Sequence, residues 1–473
     1  MRLSEMLKGV DCAPPAQDVE IAGISYDTRT IRPGELFVAL RGYKTDGHNY
    51  IEEARAKGAA AIVAEEGEDL LRVLDSREAL ARISANWFGH PGRDLTLVGV
   101  TGTNGKTTTT TLLWGMLQKT LGTKAGLMGT NQIRVGEAIF PAERTTPESY
   151  EIQRWLRQMA DEGCTHVVME VSSHALCLHR VTGLRFTVGA FTNLTQDHLD
   201  FHKTMEDYRE AKGRLFAQSG RAVINLDDEA GRYYAQNCPC PVVTYSERHN
   251  EADLAAKNLT LRPDGVDFQA VTTEGYADVH LGIPGGFTIY NALCALGCAR
   301  ALEIPLSEAA AALAQAPGVR GRMEVVPIPG QGTVVIDYAH TPDALENALM
   351  TLRGFTSGRL ICLFGCGGDR DKTKRPVMGT IAGELADICI VTSDNPRTEA
   401  PESIISDILK GMDANMAPRL VEPDRKRAIR AGLSMLGKGD TLLLAGKGHE
   451  TYQEVGLVKR HLDEREEVKK AFS

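Results

Sequence analysis

The 473-residue chain lacks the features by which several large classes of protein are recognised. Its ten cysteines contain no C-x-x-C pair, which argues against both a zinc knuckle and a disulfide framework. No apolar run approaches the roughly 20 residues that cross a bilayer, and the N-terminal MRLSEMLKGV lacks the apolar segment of a signal peptide. Low-complexity tracts are also absent, which argues against long disorder. We therefore expect a soluble, cytoplasmic protein with reduced thiols and no membrane insertion.

The charge balance is acidic, with a formal net charge of −9 and a pI near 5.8. A protein that binds nucleic acid through a basic surface would carry the opposite sign, so we expect no nucleic-acid partner. A local basic pocket is still compatible with this balance. Hydrophobic residues make up 42% of the sequence, and at roughly 150 residues per domain the length predicts about three domains.

Three regions differ in pattern, and we place their boundaries at residues 1–92, 93–319 and 320–473. The first reads as a small α/β module with a turn at Pro33-Gly34. In the second, the apolar strand LTLVGV at 95–100 precedes a glycine-rich turn and a helix from Thr107 to about Leu121. Further apolar strands are predicted in the second region at His166–Glu170, Phe186–Phe191 and Ala222–Asn225. In the third region they are predicted at Thr333–Ile336, Leu360–Phe364, Ile388–Val391 and Thr441–Leu444.

Strands that alternate with helices predict an α/β fold with right-handed crossovers. We expect a central P-loop-type domain with a parallel sheet and a C-terminal Rossmann-like domain. Polar segments follow the predicted strands: TGTNGKTT, EVSSH, NLTQDH, DYAHTPD, GCGGDRDK, SDNPR and AGKGHE. Because open sheets bind ligands at the carboxyl ends of parallel strands, these segments are expected to face a shared cleft.

The segment from Gly102 to Thr108, GTNGKTT, stands between a buried strand and a helix. Backbone N–H groups of such a loop cradle phosphates, Lys106 would neutralise them, and Thr107 would bind Mg²⁺. The spacing departs from G-x-x-x-x-G-K-T because Val100 occupies the place of the first glycine. Gly102 supplies flexibility two residues later, and the segment predicts binding of a nucleoside triphosphate.

Candidate metal ligands are less sharply defined by the sequence. Glu170 ends the strand HVVME and offers the hard oxygen ligand that Mg²⁺ prefers. His198 is either a second ligand or a structural histidine. Lys212, within the helical pattern EAKGRLF, reads as a solvated surface lysine from that pattern alone.

Two C-terminal segments combine charges of both signs. Arg370 and Arg375 in GCGGDRDKTKR either grip a carboxylate or phosphate or belong to a flexible, solvated loop. Asp394-Asn395-Pro396-Arg397 places an acid, an amide and a base on a rigid turn. That mixture suits a zwitterionic ligand such as an amino acid, although Asn-Pro is also a common turn. The segment GKGHE at 446–450 is similarly ambiguous.

Taken together, the motifs resemble those of the Mur ligase family, ATP-dependent enzymes that form amide bonds in peptidoglycan synthesis. GTNGKTT, EVSSH, TNLTQDHLDFH, GRME, DYAHTPDAL, GGDRDKTKRP, DNPRTE and AGKGHE occur in the family's order over nearly the whole chain. The DNPR tetrad resembles the branch that adds meso-diaminopimelate, whose extra carboxylate calls for a cation such as Arg397. Lysine-adding relatives carry other residues at that position.

This resemblance implies a ligase that uses ATP and Mg²⁺, works as a monomer and contributes to cell-wall biogenesis. Its N-terminal domain would bind UDP-N-acetylmuramoyl-L-alanyl-D-glutamate, and meso-diaminopimelate would be added to the D-glutamate through an acyl phosphate. The alternatives are a lysine-adding ligase of the same type and a folylpolyglutamate synthase-like ligase. From another class, a nucleotide-switched binding protein without ligase chemistry remains an alternative.

The resemblance also implies roles for individual residues. ATP is assigned to Gly102, Thr103, Asn104, Gly105, Lys106, Thr107, Thr108, Asn291, Arg322, Asp337 and His340. Magnesium is assigned to Thr107, Glu170, His198 and Lys212 as its carbamate, with Lys106, His198 and Lys212 as catalytic residues. The UDP substrate is assigned to Thr28, Tyr43, Lys44, Thr45, Asp46, Gly47, His48, Thr145, Thr146, Ser172 and Arg180. Diaminopimelate is assigned to Arg370, Asp394, Asn395, Pro396, Arg397, Gly446 and Glu450.

Overall fold

The structure is a computed structural model that describes residues 1–42, 45–262, 265–316, 318–328, 332–413, 415–417 and 419–472. Its residues form two compact units. The first unit comprises Met1–Thr101, Leu121–Gly189 and Ala211–Arg221, and the second comprises Gly102–Thr120, Ala190–Glu210 and Ala222–Ser473. The domain boundaries placed at 92/93 and 319/320 stay predictions.

Helices and strands alternate along most of the chain. The α-helices are α1 Leu3–Met6, α2 Ile51–Ala56, α3 Ser76–Trp87, α4 Lys106–Leu121, α5 Ser149–Asp161, α6 Ser173–Cys177, α7 Leu199–His202, α8 Met205–Gly213, α9 Glu229–Asn237, α10 Gly286–Ala301, α11 Leu306–Leu313, α12 Pro342–Arg353, α13 Lys374–Leu385, α14 Pro401–Leu409, α15 Arg425–Met435 and α16 Glu464–Phe472. The strands are β1 Ile24–Ser25, β2 Leu36–Val38, β3 Ala61–Ala64, β4 Leu71–Arg72, β5 Thr96–Thr101, β6 Lys124–Met128, β7 Ile133–Val135, β8 Ala138–Phe140, β9 Cys164–Glu170, β10 Phe186–Phe191, β11 Ser219–Asn225, β12 Val242–Ser246, β13 Leu254–Arg262, β14 Gly265–Thr272, β15 Gly275–Leu281, β16 Glu324–Pro327, β17 Thr333–Asp337, β18 Leu360–Phe364, β19 Ile388–Val391, β20 Arg419–Val421, β21 Thr441–Ala445, β22 Tyr452–Val455 and β23 Val458–His461.

The first unit begins with a small parallel sheet in the strand order β1-β2-β3-β4. All three residues of β2 are buried, as expected for a parallel strand that is covered on both faces. Helix α3 begins after Asp75, whose carboxylate accepts hydrogen bonds from the backbone N–H groups of Arg77 and Glu78. Its apolar face contributes Leu80 and Ile83 to the core of this part of the unit.

The first unit also contains a second set of paired strands. Strands β5 and β6 both pair in parallel with β9, whereas β6, β7 and β8 pair antiparallel. The apolar run predicted at 95–100 is confirmed as β5. Its residue Leu97 packs with Val167, Met169 and Phe186 in one core cluster.

In the second unit, β11, β12 and β13 run parallel, and β13, β14 and β15 form antiparallel pairs. Helix α10 contacts this sheet and is buried on nearly all sides. Its sequence is apolar all round, which is typical of a helix inside a core. The antiparallel hairpins between residues 254 and 281 were not predicted, since we read the central region as a parallel sheet.

A six-stranded sheet completes the second unit, with the strand order β16-β17-β21-β18-β19-β20. Only β16 is antiparallel among these described strands. Helices α12, α13 and α14 cover one face, and α15 and α16 cover the other. This confirms the predicted Rossmann-like arrangement, and it places the carboxyl ends of β17, β21, β18 and β19 at one edge of the sheet.

None of the helices in the described ranges combines the length and the apolar character needed to cross a membrane. The ten cysteines are free thiols, of which Cys164, Cys294, Cys298, Cys362, Cys366 and Cys389 are buried. Free cysteine packs as a small apolar side chain, so these residues contribute to the cores.

Candidate functional site

The loop from Gly102 to Thr108 contains two glycines with positive φ angles. Gly102 and Gly105 have φ angles of +148° and +83°, which glycine adopts readily. A Cβ atom at Gly105 would lie 2.3 Å from Oδ1 of Asn291. Residues outside the loop hydrogen-bond to its backbone: the N–H of Asn104 donates to Oδ1 of Asn193 at 2.9 Å. The carbonyl oxygen of Asn104 in turn accepts from the hydroxyl of Thr192 at 2.7 Å.

Lys106 is the first residue of α4, and its side chain folds over the loop. Its Nζ donates to the carbonyl oxygens of Gly102, at 2.9 Å, and Thr103, at 2.7 Å. The free N–H groups and the dipole at a helix N-terminus favour an anion. The ammonium and the helix N-terminus therefore place positive potential in one loop.

Two side chains from later in the second unit, Arg322 before β16 and Asp343 in α12, contact this loop. Nη2 of Arg322 donates to the Thr107 hydroxyl at 3.1 Å, and its guanidinium lies 4.7 Å from the centre of the Tyr338 ring. Nδ2 of Asn104 donates to Oδ2 of Asp343 at 2.8 Å. The loop at residues 102–108 and the start of α12 are thus joined within one compact unit.

Asp337 and His340 flank Tyr338 at the end of β17. Oδ2 of Asp337 accepts a hydrogen bond from the N–H of Met323 at 2.7 Å, and burial raises the pKa of this carboxyl. Nδ1 of His340 lies 2.8 Å from the Tyr338 carbonyl oxygen. Burial, followed by the charge of Lys374, lowers the pKa of His340 to about 4, so its ring is neutral at physiological pH.

His198 belongs to a charged group at the start of α7. Nε2 of His198 lies 3.5 Å from Oδ2 of the buried Asp197, and Nζ of Lys374 lies 3.8 Å from Oδ1 of the same carboxylate. Burial by itself raises the pKa of Asp197, but neighbouring charges, led by His198 and Lys374, and the backbone N–H of His198 together hold that pKa below its ordinary value. Asp197 and Lys374 were not among the predicted site residues.

The acid and the amide of the DNPR segment lie close to the segment that follows β21. Gly446 has a φ of +109°, and a Cβ there would lie 2.5 Å from Oδ2 of Asp394. Nδ2 of Asn395 donates to Oε2 of Glu450 at 2.9 Å. No donor among the described residues reaches the buried Oδ2 of Asp394. Burial by itself raises the pKa of Asp394, but the charges of Lys447 and Arg425 and the backbone N–H of Asn395 together lower it, so this carboxylate is ionised.

Two arginines accompany these acids. Arg397 adopts a φ of +51°, and its Nη1 donates to the Gly368 carbonyl oxygen at 2.7 Å. Its Nε donates to Oε2 of Glu454 at 3.1 Å. Loss of hydration, and then the charge of Arg397, lowers the pKa of Arg370, as expected for neighbouring cations. The carbonyl oxygen of Pro396 faces Gly368, and a Cβ added at Gly368 would lie only 1.9 Å from that oxygen.

Arg375 has a different role from Arg370, although both follow β18. Its side chain is fully buried and donates to Glu399 at 2.8 Å and to Asp407 at 3.0 Å. These contacts pair the buried cation with carboxylates, and removing its partners would leave an uncompensated buried charge, which is destabilising. Reading this arginine as part of a solvated loop was therefore wrong.

In the first unit, Glu170 is surrounded by threonines. Its carboxylate accepts hydrogen bonds from the backbone N–H of Thr130 at 2.8 Å and from the Thr130 hydroxyl at 3.0 Å. That hydroxyl also lies 3.0 Å from Oγ1 of Thr145. The Thr146 hydroxyl donates to the Glu170 carbonyl oxygen at 2.8 Å, and the N–H of Ser172 donates to Thr146 Oγ1 at 3.0 Å. The structure thus brings Thr145, Thr146, Glu170 and Ser172 together.

Arg180 extends this group through Glu148. Nη1 of Arg180 donates to the Thr146 carbonyl oxygen at 3.1 Å, and its Nε lies 3.4 Å from Oε2 of Glu148. The same carboxylate oxygen lies 3.3 Å from Nη1 of Arg77 and 3.5 Å from Nη1 of Arg144. Three arginines on one carboxylate leave a net positive charge, and burial lowers the pKa of Arg180. Arg77, Arg144 and Glu148 were missed, because no local motif marks them.

Lys212 lies near the end of α8 and is 1% exposed. A lysine ammonium is costly to bury unless it is partnered or modified. The helical pattern around Lys212 suggested a surface residue, and that reading was wrong.

The residues expected at the uridine end occur in the N-terminal part of the first unit. Oδ1 of Asp46 accepts from the N–H of His48 at 3.0 Å, and the His48 Nε2 lies 3.0 Å from the N–H of Glu65. A Cβ at Gly47 would lie 2.7 Å from the backbone N of Leu40. Thr28 is buried and Thr45 is exposed. Tyr43 and Lys44 lie outside the described residues.

Profiles of three related families match the sequence. They are described as the Mur ligase family catalytic domain, over residues 20–87, the Mur ligase middle domain, over 100–299, and the Mur ligase glutamate ligase domain, over 321–448. Together they account for most of the chain.

Curated relatives resemble the chain over its full length. A protein of Clostridioides difficile strain 630 is 43% identical, with 100% of each chain covered. A protein of Gloeobacter violaceus is 47% identical, with 100% of this chain and 98% of its own covered. Both are named UDP-N-acetylmuramoyl-L-alanyl-D-glutamate--2,6-diaminopimelate ligase. A solved structure of a protein with that name is 34% identical, covers 100% of this chain and 98% of its own, and has a TM-score of 0.69.

Proposed function

The chain belongs to the Mur ligase family, and from this premise we propose that it adds meso-diaminopimelate to the D-glutamate of UDP-N-acetylmuramoyl-L-alanyl-D-glutamate. The reaction consumes ATP and forms an amide bond in the synthesis of peptidoglycan precursors. Relatives at 43–47% identity carry this activity in their names. We expect the enzyme to act in the cytoplasm as a monomer.

The observation that carries this proposal is the buried oxygen of Asp394 that lacks a donor among the described residues. An ionised, buried carboxylate oxygen favours a cationic partner, and a substrate ammonium supplies one. Arg397 and Arg370 lie in the same group and offer guanidinium donors to carboxylates. A diamine with two carboxylates satisfies both signs, whereas lysine would leave one cation without its carboxylate.

ATP is proposed to bind at the loop Gly102–Thr108. Its phosphate oxygens would accept hydrogen bonds from backbone N–H groups at the start of α4. The Lys106 ammonium, which donates to two carbonyl oxygens, would donate to phosphate oxygens instead. Arg322 contacts Thr107 and would offer its guanidinium to phosphate oxygens bound at this loop. Asn291, Asp337 and His340 complete the proposed nucleotide-binding residues.

The proposed magnesium ligands are Thr107, Glu170, His198 and Lys212 as its carbamate. Their chemistry fits Mg²⁺, because a hydroxyl, a carboxylate and a carbamate are hard oxygen donors. The burial of Lys212 also fits a modification that turns its ammonium into an anion. When bound, the metal would neutralise charge on the triphosphate and on the acceptor carboxylate.

The chemistry itself requires activation, because a carboxylate is a poor electrophile. An oxygen of the D-glutamate side chain attacks the γ-phosphorus of ATP, which releases ADP and leaves an acyl phosphate. The attacking amino group, as its free base after loss of a proton to solvent, adds to the acyl carbon; the nitrogen then loses a second proton, and the tetrahedral intermediate expels inorganic phosphate as the amide forms. Lys106 offsets the charge that develops during phosphoryl transfer. Asp394 and Glu450 hold the amine, and the two arginines orient its carboxylates.

The muramoyl dipeptide is proposed to contact Thr145, Thr146, Ser172 and Arg180. Arg180 is suited to a carboxylate or phosphate because its charge is only partly balanced within its group. The uridine end is proposed to meet Thr28 and the segment from Tyr43 to His48.

A panel of amines tests the proposal with the full-length protein. The protein is mixed with ATP, MgCl₂ and UDP-N-acetylmuramoyl-L-alanyl-D-glutamate, and ADP release and product mass are measured with meso-diaminopimelate or L-lysine. We expect one amide bond per ADP with meso-diaminopimelate alone. Turnover with lysine alone would contradict the assignment of Arg397.

Two further reactions test the protein for a different activity. Glutamate addition to a folate acceptor would indicate a folylpolyglutamate synthase-like enzyme. ATP hydrolysis that ignores the muramoyl dipeptide would indicate a nucleotide-switched protein. We expect neither reaction, because the groups around Asp394 and Arg397 match an amine that carries two carboxylates.

A further inference from the structure

Lys447 lies at the centre of the group formed by the DNPR and GKGHE segments. Its side chain is fully buried. Nζ donates to Oδ1 of Asn395 at 2.8 Å and forms an ion pair with Oε2 of Glu450. The same Nζ lies 5.2 Å from the centre of the Tyr452 ring. Lys447 therefore contacts two proposed amino-acid ligands, although it was not assigned a role from the sequence.

These contacts determine how the Asn395 amide is oriented. Oδ1 accepts two hydrogen bonds, one from Lys447 and one from the backbone N–H of Glu454 at 2.9 Å. Nδ2 then donates to Oε2 of Glu450. An amide turned by 180° would direct its NH₂ group at two donors, which is unfavourable. Lys447 is one of the two donors that select the observed orientation.

Lys447 also balances the charge of the two acids. Asp394 and Glu450 are both proposed to receive substrate ammonium groups; Lys447 forms an ion pair with Glu450, and its charge lowers the pKa of Asp394 against the effect of burial. Two carboxylates in a confined space repel each other unless a cation lies between them. Because the lysine is buried and its Nζ is already bonded, its role is to hold these groups rather than to react.

We propose that Lys447 is a positioning residue that fixes the Asn395 amide and the Glu450 carboxylate for binding of the incoming amine. This inference rests on the proposed function, since it assigns Lys447 to the same amino-acid site. Removal of the lysine is expected to weaken amine binding selectively. If the lysine were purely structural, its removal would instead lower stability and the turnover number, and would not selectively change the KM for the amine.

The test compares two variants, Lys447→Met and Lys459→Met. Methionine keeps most of the length of lysine and removes the charge and the donor. Lys459 is the matched control because its Nζ lies 4.4 Å from the same Tyr452 ring while its side chain is exposed. For each protein, KM and kcat are measured for meso-diaminopimelate, ATP and the UDP-linked dipeptide, together with the melting temperature.

We expect Lys447→Met to raise the KM for diaminopimelate by at least about tenfold, since it loses a charge-assisted hydrogen bond. The KM for ATP should change by less than about twofold. Lys459→Met should match the wild type in all three KM values. An unchanged KM for the amine in Lys447→Met, or equal increases for all substrates, would overturn the inference.

A second variant covers the case in which Lys447→Met does not fold. Lys447→Gln keeps an amide donor for Asn395 without the charge, and its KM for the amine should lie between those of the wild type and Lys447→Met. The wild type is assayed first with both amines. A wild type that adds lysine instead refutes the proposed substrate, and the KM for lysine then tests the role of Lys447.

Discussion

The backbone of the phosphate loop predicts a large effect of one added methyl group. In Gly105→Ala, the new Cβ would lie 2.3 Å from Oδ1 of Asn291, and the φ of +83° would be strained. Left-handed backbone costs a non-glycine residue about 1–2 kcal/mol. Displacing the buried Asn291 amide adds about 1 kcal/mol. The free energy of unfolding should therefore fall by about 2–3 kcal/mol.

Gly115→Ala is the matched control. Gly115 lies within α4, ten residues after Gly105, and no atom would lie within 4 Å of a Cβ there. Alanine inside a helix is favoured over glycine by about 0.5–1 kcal/mol. The same substitution should thus stabilise the protein at one position and destabilise it at the other.

The assay combines thermal unfolding with ATP titration. For Gly105→Ala we expect a fall of roughly 4 °C or more in Tm. The loop must also re-form around the phosphates, so the KM for ATP should rise about tenfold, which corresponds to about 1.4 kcal/mol. If Gly105→Ala and Gly115→Ala gave the same Tm and the same KM for ATP, the assignment of Gly105 to a strained phosphate loop would be refuted.

Three further predictions concern other residues. Lys212→Ala should abolish turnover, and added short-chain carboxylic acids that take the place of the carbamate should restore part of it. Full activity of the variant without added acid would contradict the assignment of a carbamate. Arg397→Met should lower kcat/KM for diaminopimelate at least about tenfold and leave the KM for ATP unchanged. If the variant preferred diaminopimelate over lysine as strongly as the wild type does, the role of Arg397 would be contradicted. Burial, followed by the charge of Arg322, lowers the pKa of His449 to about 3, below its unfolded value of 6.5, so the unfolded chain binds the extra proton. The free energy of unfolding should therefore fall as pH drops below 6.5, by at most about 1.4 kcal/mol per pH unit for this one group. Thermal unfolding of His449→Asn should show a smaller fall over the same pH range, and an equal fall would contradict this prediction.

Much of the fold follows from short stretches of sequence. The runs at Phe186–Phe191, Leu360–Phe364 and Ile388–Val391 form strands with the predicted bounds. Continuous apolar runs followed by glycine-rich turns are local signals of buried parallel strands. The hairpins between residues 254 and 281 were missed, because their strands are partly exposed and mix polar with apolar residues.

The sequence by itself marked the glycine-rich loop at residues 102–108, because its glycines, lysine and helix start are adjacent along the chain. It also marked Asp394, Asn395 and Arg397 as a group of mixed charge. Only the tertiary structure decided that Lys447 contacts Asn395, which lies 52 residues away. That contact depends on β21, late in the chain, inserting between β17 and β18. Local periodicity carries no information about strand order, so the partners of buried charges emerge only when the sheet is assembled.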